Sequence, residues 1–447
     1  MNPHQLLRSG RHSAGPMAVL ATLLLAPALG LAQPRHQLPS PEGSDPVALG
    51  LMQGFPPAMD KTVRLASVLK FPNARWAYQH MRELGPTTAI RRGDGPPSTL
   101  SSAPLELDEL RLDDGEGNVL NLYDWQRSTY TDALLILHRG RVVYERYDAG
   151  MKPWLPHALN SLSKSLVGLL ARQFILEGRI DPGAPVVRYL PELKGSAWGD
   201  ATVQQTLDMT TGVQYEEDFG KPASGVFQYL IAAGLVPPPA GHAGTSSLLA
   251  YLPTVGKSGE HGERFQYKSV DTEVMSWLLQ RVAGQRLSDL LSERLWMPLG
   301  AGEDAYVWTD GSGTQVASVG VSATARDLAR LGEMLRSGGR GQGRQILDPR
   351  VIAELRKGGD PGKFKAAGHL PRAGYSYHDY WWIAHDGDGS FEAKGLNGQH
   401  LHINPAAEMV LVKFSSHPVP NTLYTHKLDR SAFEAIAQAL RAQAEKP

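Results

Sequence analysis

The sequence predicts an α+β fold: an antiparallel sheet built from both ends of the chain, flanked by helices, with a mainly helical insertion between the two sheet parts. Three observations predict it. Strand–turn–strand patterns lie near residues 133–147 and 399–415, helical periodicity dominates from about 185 to 365, and an amphipathic helix closes the chain.

Taken in order, residues 1–32 read as a secretory signal. Arg8 and Arg11 give a basic start, Met17 to Leu31 an apolar stretch broken by Pro27, and Gly30-Leu31-Ala32 a small-residue cleavage site. The expectation is a secreted or periplasmic protein after cleavage near Ala32, with no stable membrane anchor. Residues 33–118 are punctuated by prolines and read as an extension wrapping the main domain, with Arg75 to Met81 as its short helix. The main domain is then 119–447, its sheet parts at about 119–184 and 366–447 and its helical insertion at about 185–365.

Ala133 to Leu137 and Val142 to Tyr147 flank His138-Arg139-Gly140-Arg141, the pattern of a hairpin. Leu162, Leu166, Leu169, Leu170 and Ile175 then recur at helical spacing up to Gly178. A further helix is predicted over Thr324 to Leu335. Gln399 to Asn404 and Met409 to Ser415 form a second hairpin. Ser431-Ala432-Phe433-Glu434 reads as a capping box opening the last helix, which buries Phe433, Ile436, Ala437 and Leu440.

With 447 residues and 42% hydrophobic content, the chain can bury a large core. Its 45 basic and 45 acidic residues cancel without long runs of one sign, which argues against a nucleic-acid partner. Cysteine is absent, so disulfides, thiol catalysis and Cys-ligated metal are excluded. Nothing in the sequence sets an oligomeric state.

The chemistry concentrates in Asn160-Ser161-Leu162-Ser163-Lys164. Three residues apart on a helix, Ser161 and Lys164 face the same side. A serine hydroxyl needs an adjacent base to act as a nucleophile, and a desolvated lysine can serve. The start of the helix also offers unpaired N–H groups where a carbonyl oxygen would become negative. Alone, such a pair is more often a surface N-cap serine beside a solvated lysine; an apolar helix behind it favours a cleft.

Two further segments extend the pattern: Phe265-Gln266-Tyr267-Lys268-Ser269 and Lys394-Gly395-Leu396-Asn397-Gly398-Gln399. Together with the Ser-x-x-Lys pair they resemble the serine β-lactamase/DD-peptidase superfamily, class C in particular. Leu207-Asp208-Met209-Thr210-Thr211-Gly212 resembles a turn of that superfamily. Gly54-Phe55-Pro56-Pro57, Arg75-Trp76 and Tyr380-Trp381-Trp382 resemble its 6-aminohexanoate-dimer hydrolase and esterase branch. The resemblance covers about residues 50–440.

The resemblance implies a β-lactamase/penicillin-binding-protein-like fold and an acyl-enzyme mechanism without metal or cofactor. Ser161 would be the nucleophile, Lys164 its base and Tyr267 the proton relay to the leaving group. The backbone N–H groups of Ser161 and Gln399 would form the oxyanion hole. Asn160 and Ser269 would hold the Lys and Tyr heads, and Leu396, Asn397, Gly398, Trp381 and Trp382 would line or support the site. Adjacent strand residues face opposite ways, so at most one of the two tryptophans should reach the cleft.

One departure matters. Leu396 stands where β-lactamases and DD-peptidases carry Lys or His, which favours small linear amides or esters over β-lactams. His400 and His402 read as paired strand histidines of structural type rather than metal ligands. The competing reading outside the enzyme class is a non-catalytic binding protein on the same fold; within it, a carboxylesterase or a β-lactamase/DD-peptidase.

Overall fold

The computed structural model describes residues 38–447 apart from 115–116, 369–371, 422 and 445–447. The expected signal segment and its cleavage site therefore lie outside the described residues. Among these, no helix is long and apolar enough to cross a membrane.

The centre is a seven-stranded antiparallel sheet. In chain order its strands are β1 (Thr131–His138), β2 (Arg141–Tyr147), β3 (Ser376–His378), β4 (Trp381–Ile383), β5 (Phe391–Gly395), β6 (Gln399–Asn404) and β7 (Met409–Ser415). They lie side by side as β3-β4-β5-β6-β7-β1-β2, so the two chain ends meet at the β7–β1 pairing. Both hairpins read from the sequence are present, and the sheet is completed by three strands between residues 376 and 395.

Alternation along these strands divides the core in two. Leu135, Leu137, Ala393, Leu401, Ile403, Val410 and Val412 face the large core, which holds the helices α1 (Ser163–Leu176), α2 (Ser269–Ala283) and α3 (Ala325–Arg336). Leu134, Ile136, Met409 and Leu411 face the other way, against α4 (His426–Ala444) and its Phe433, Ile436, Ala437 and Leu440. In α1, Leu166, Leu169 and Leu170 are fully buried, and Gly178 just past its end takes φ +72°. A side chain at Gly168 would place its Cβ 1.9 Å from the Asp379 carbonyl oxygen, so only glycine lets α1 lie this close to the β3–β4 turn.

One expectation needs correction. The last helix opens at His426, not at Ser431. Its first turn is pinned by Asp429, which accepts from Thr425 Oγ1 at 2.9 Å and from Trp125 Nε1 at 3.1 Å; Ser431 lies inside the helix. The insertion is mainly helical, as expected, and also carries short strands. Ala305–Trp308 and Val321–Ala323 join Thr87–Ile90 and His157–Ala158 in a second, four-stranded antiparallel sheet. Strands of two to four residues have too few alternations to register as a period of two.

Residues 38–118 carry short helices at Asn73–Ala77 and Met81–Leu84 and the strand Thr87–Ile90. Arg75 binds Asp132 at the start of β1, Nε to Oδ1 2.9 Å, with both side chains buried. Tyr78 reaches across to Asn397.

Candidate active site

Ser161 sits in the single 3₁₀ turn Asn160–Leu162 that feeds directly into α1. Asn160 before it adopts a left-handed conformation, φ +47°, which a non-glycine residue holds only where its surroundings fix it. Here they do: Asn160 Nδ2 donates to the Leu396 carbonyl at 3.1 Å. The end of β5 presses against the same turn. A Cβ on Gly395 would lie 2.3 Å from the Leu159 carbonyl oxygen, so glycine is required for the approach.

Lys164, one turn into α1, is fully buried and donates to Ser161 Oγ at 3.0 Å and to the Ser318 carbonyl at 3.2 Å. Its Nζ lies 5.0 Å from the centre of the Tyr267 ring. Burial pushes its pKa down to about 8, against the opposing pull of Glu217 and Glu273. The Ser318 carbonyl is held in turn by Glu273, whose carboxylate accepts the N–H groups of Ala317 and Ser318, both at 2.9 Å, and the Tyr229 hydroxyl at 2.8 Å.

Tyr267 comes from the segment just before α2 and faces Ser161. Its phenol is pushed well above the ordinary value, first by burial and then by the Glu217 carboxylate, with the Ser161 hydroxyl pulling slightly the other way. The ring stacks on Trp382, centroids 5.8 Å apart and 18° between planes. Ser161, Lys164 and Tyr267 are thus brought together from positions spread over more than a hundred residues.

Two cavities meet at Ser161. One, of about 240 Å³, is mainly apolar and is walled by Val68, Met81, Val226, Leu230, Leu235 and Val319, with Glu217 also among its lining residues. The other, of about 170 Å³, is lined by Tyr267, Arg372, Trp382, Lys394, Gly395 and again Glu217. The pairing of β4 with β5 stops at Trp382–Glu392, so among the described residues no strand pairs with Ala393 to Gly395 on that side.

The remaining expected residues divide. Leu396 lines both cavities, and Asn160, Ser269 and Asn397 line the apolar one. Asn160 is bonded to Leu396 rather than to the Lys or Tyr head, and the Ser269 N–H donates to Glu217 Oε1 at 2.7 Å. Asn397 is clamped between the Tyr78 hydroxyl and the His417 carbonyl. Gly398, φ +94°, turns the chain into β6. Gln399 is fully buried, its side chain donating to the Ser415 and Leu396 carbonyls, and it lines neither cavity. Trp382 lines the second cavity, whereas Trp381 is fully buried and donates to the Ser165 carbonyl. Lys394 lies on β5 itself, paired with Glu392 at 2.7 Å, and its side chain lines the second cavity.

Sequence reasoning missed Glu217, Glu273, Ser318 and Arg372. Glu217 stands in the acidic run Glu216-Glu217-Asp218, which reads as a solvated loop, and the other three carry no motif. The Leu207–Gly212 turn does have a job: Asp208 meets His378 Nδ1 at 2.8 Å beside the buried pair Arg172–Asp379. Asp208, His378 and Asp379 come close enough together to hold a metal ion, but Arg172 already makes two hydrogen bonds to Asp379 there.

A sheet covered on both faces, with a buried Ser–Lys pair and a tyrosine gathered at the end of β5, is the arrangement of a β-lactamase-like hydrolase. The chain belongs to the Beta-lactamase family, whose model matches residues 117–438. It is 36% identical over 393 residues to a 6-aminohexanoate-dimer hydrolase of Paenarthrobacter ureafaciens, covering 87% of this chain and 97% of that one. It superposes on a candidate 6-aminohexanoate-dimer hydrolase from Bacillus anthracis with a TM-score of 0.79 and 31% identity, over 87% of this chain and 99% of that one. The simvastatin synthase of Aspergillus terreus shares the fold at 18% identity, TM-score 0.55, over 71% of this chain and 96% of that one.

Proposed function

We propose that this protein is an exported serine hydrolase that cleaves small linear amides or esters through an acyl-enzyme on Ser161. The observation that carries the reading is the 3.0 Å hydrogen bond between Ser161 Oγ and a lysine whose pKa is brought down to about 8 by burial.

In this mechanism Ser161 Oγ attacks the substrate carbonyl carbon and its proton passes to the neutral Lys164 amine. The oxygen becomes negative and is held by backbone N–H groups. Ser161 supplies one of them. The second is better sought at Leu396, which lines both cavities, than at Gln399, which lines neither. The bond from the carbonyl carbon to nitrogen or oxygen then breaks. Tyr267 gives its hydroxyl proton to the leaving atom and recovers one from the Lys164 ammonium. Water attacks the acyl carbon, releases the acid and returns the proton to Ser161. No step calls on a metal or cofactor.

The relatives named for 6-aminohexanoate dimer favour a linear amide as substrate. A carboxylesterase or a β-lactamase/DD-peptidase would use the same acylation machinery. A non-catalytic binding protein would have no need of a desolvated lysine on a serine hydroxyl. The test is hydrolysis of linear 6-aminohexanoate dimer followed by chromatography, with Ser161→Ala as the blank. Cleavage by the wild type alone supports the amidase reading. Absence of cleavage, with Ser161-dependent hydrolysis of short acyl esters, moves the activity to an esterase.

A further inference from the structure

The two cavities at Ser161 are chemically unlike, and Tyr267 tells them apart. If Tyr267 protonates the leaving atom, the cavity it lines receives the leaving group, and the apolar cavity receives the acyl group.

The leaving-group side contains a buried cation with no carboxylate bonded to it among the described residues. The Arg372 guanidinium lies over the Trp382 ring, Cζ 4.2 Å from the ring centroid, and its Nε is buried without a hydrogen-bond partner. Lys394, on the same wall, is already neutralised by Glu392. A desolvated guanidinium without an anion is costly, and its planar fork matches a carboxylate.

The acyl side is the reverse. Glu217, which lines both cavities, is the one charged side chain among the acyl side's lining residues, and its Oε1 accepts the Ser269 N–H at 2.7 Å and the Tyr215 hydroxyl at 3.2 Å. Beyond it the wall is Val68, Met81, Val226, Leu230, Leu235 and Val319, where a terminal ammonium would lose its water without a partner.

We propose that the substrate is an acyl chain with an apolar end joined to a leaving group that carries a free carboxylate, as in an N-acyl amino acid, with Arg372 binding that carboxylate. The proposal rests on the Ser161 acyl-enzyme reading.

Three linear amides that differ in one group each test it: N-hexanoyl-6-aminohexanoate, its terminal carboxamide, and 6-aminohexanoyl-6-aminohexanoate. Release of the acid half is measured with wild type, Arg372→Gln and Arg372→Lys. The wild type should prefer the hexanoyl acid over both others by roughly ten- to a hundredfold in kcat/KM. Arg372→Gln should collapse the acid-to-carboxamide ratio towards one, and Arg372→Lys should restore part of it. Equal wild-type rates on acid and carboxamide would overturn the proposal, whatever the variants do. So would a preference for the 6-aminohexanoyl substrate, which would place an ammonium on Glu217.

p-Nitrophenyl hexanoate separates this from the underlying mechanism. If it is cleaved in a Ser161-dependent way while none of the three amides is, the substrate proposal falls and the serine mechanism stands. If its cleavage survives Ser161→Ala, the mechanism falls and the substrate proposal goes with it.

Discussion

Glu273 accepts the backbone N–H of Ser318 at 2.9 Å, and the carbonyl of that same Ser318 accepts from Lys164 at 3.2 Å. A buried carboxylate on α2 thus orients the loop that orients the proposed base. Glu273→Gln keeps the shape but turns an amide N–H₂ towards a donor. The expected cost is about 1–3 kcal/mol of stability for a buried donor left unpaired. Glu273 also raises the Lys164 pKa, so its loss should move the acid limb of the pH–rate profile to lower pH. A profile unchanged in position would remove Glu273 from the site.

The pH dependence itself follows from Lys164. Only the neutral amine can take the Ser161 proton, and burial brings its pKa down to about 8. kcat/KM should therefore rise with pH and level off above about 8. Tyr267 adds no falling limb nearby, because burial holds its phenol protonated well beyond the ordinary range. Rates that decline as pH rises from 6 to about 8 would contradict a lysine base.

Tyr267→Phe removes a hydroxyl and keeps the ring stacked on Trp382. Turnover should fall by roughly 10²–10⁴, the range for a lost proton-transfer group, with KM little changed. Steady-state kinetics on one amide substrate decide it. A variant with full turnover would leave the leaving group without a donor in this account.

Gly395→Ala brings a Cβ to within 2.3 Å of the Leu159 carbonyl oxygen, two residues before the nucleophile. The turn holding Ser161 must shift, so activity should drop far more than thermal stability. Activity at the wild-type level would mean that this approach does not set the position of Ser161.

Arg75→Met would leave Asp132 buried with Ser416 and His157 beside it but without its arginine. Breaking a buried pair from one side costs about 3–5 kcal/mol. Denaturant unfolding measures it. A cost below about 1 kcal/mol would mean that the Arg75–Asp132 pair does little to hold residues 38–118 to the main sheet.

Much of this was legible in the chain. Both hairpins of the main sheet, the apolar face of α1 and the Ser161–Lys164 pair follow from periodicity and spacing, and Tyr267 joined them through the family resemblance. What escaped did so for physical reasons. The second sheet uses strands of two to four residues, too short to alternate visibly. The start of α4 is set by Asp429 pairing with Thr425 and with Trp125 some 300 residues away, which no local cap rule sees. Lys394 and Gly395 lie on a strand that carries no clear alternation in the sequence, since β5 runs through to Gly395 before the Asn397 turn. Arg372 and Glu217 matter only because the fold turns two loops towards one cleft.

The central claim is covalent, and mass measures it most directly. Wild-type protein mixed with p-nitrophenyl hexanoate and quenched early should gain one hexanoyl group, on the peptide that contains Ser161. Ser161→Ala should gain none and release no nitrophenol above background. Hydrolysis that continues in Ser161→Ala, or an acyl group found on another residue, would contradict the account.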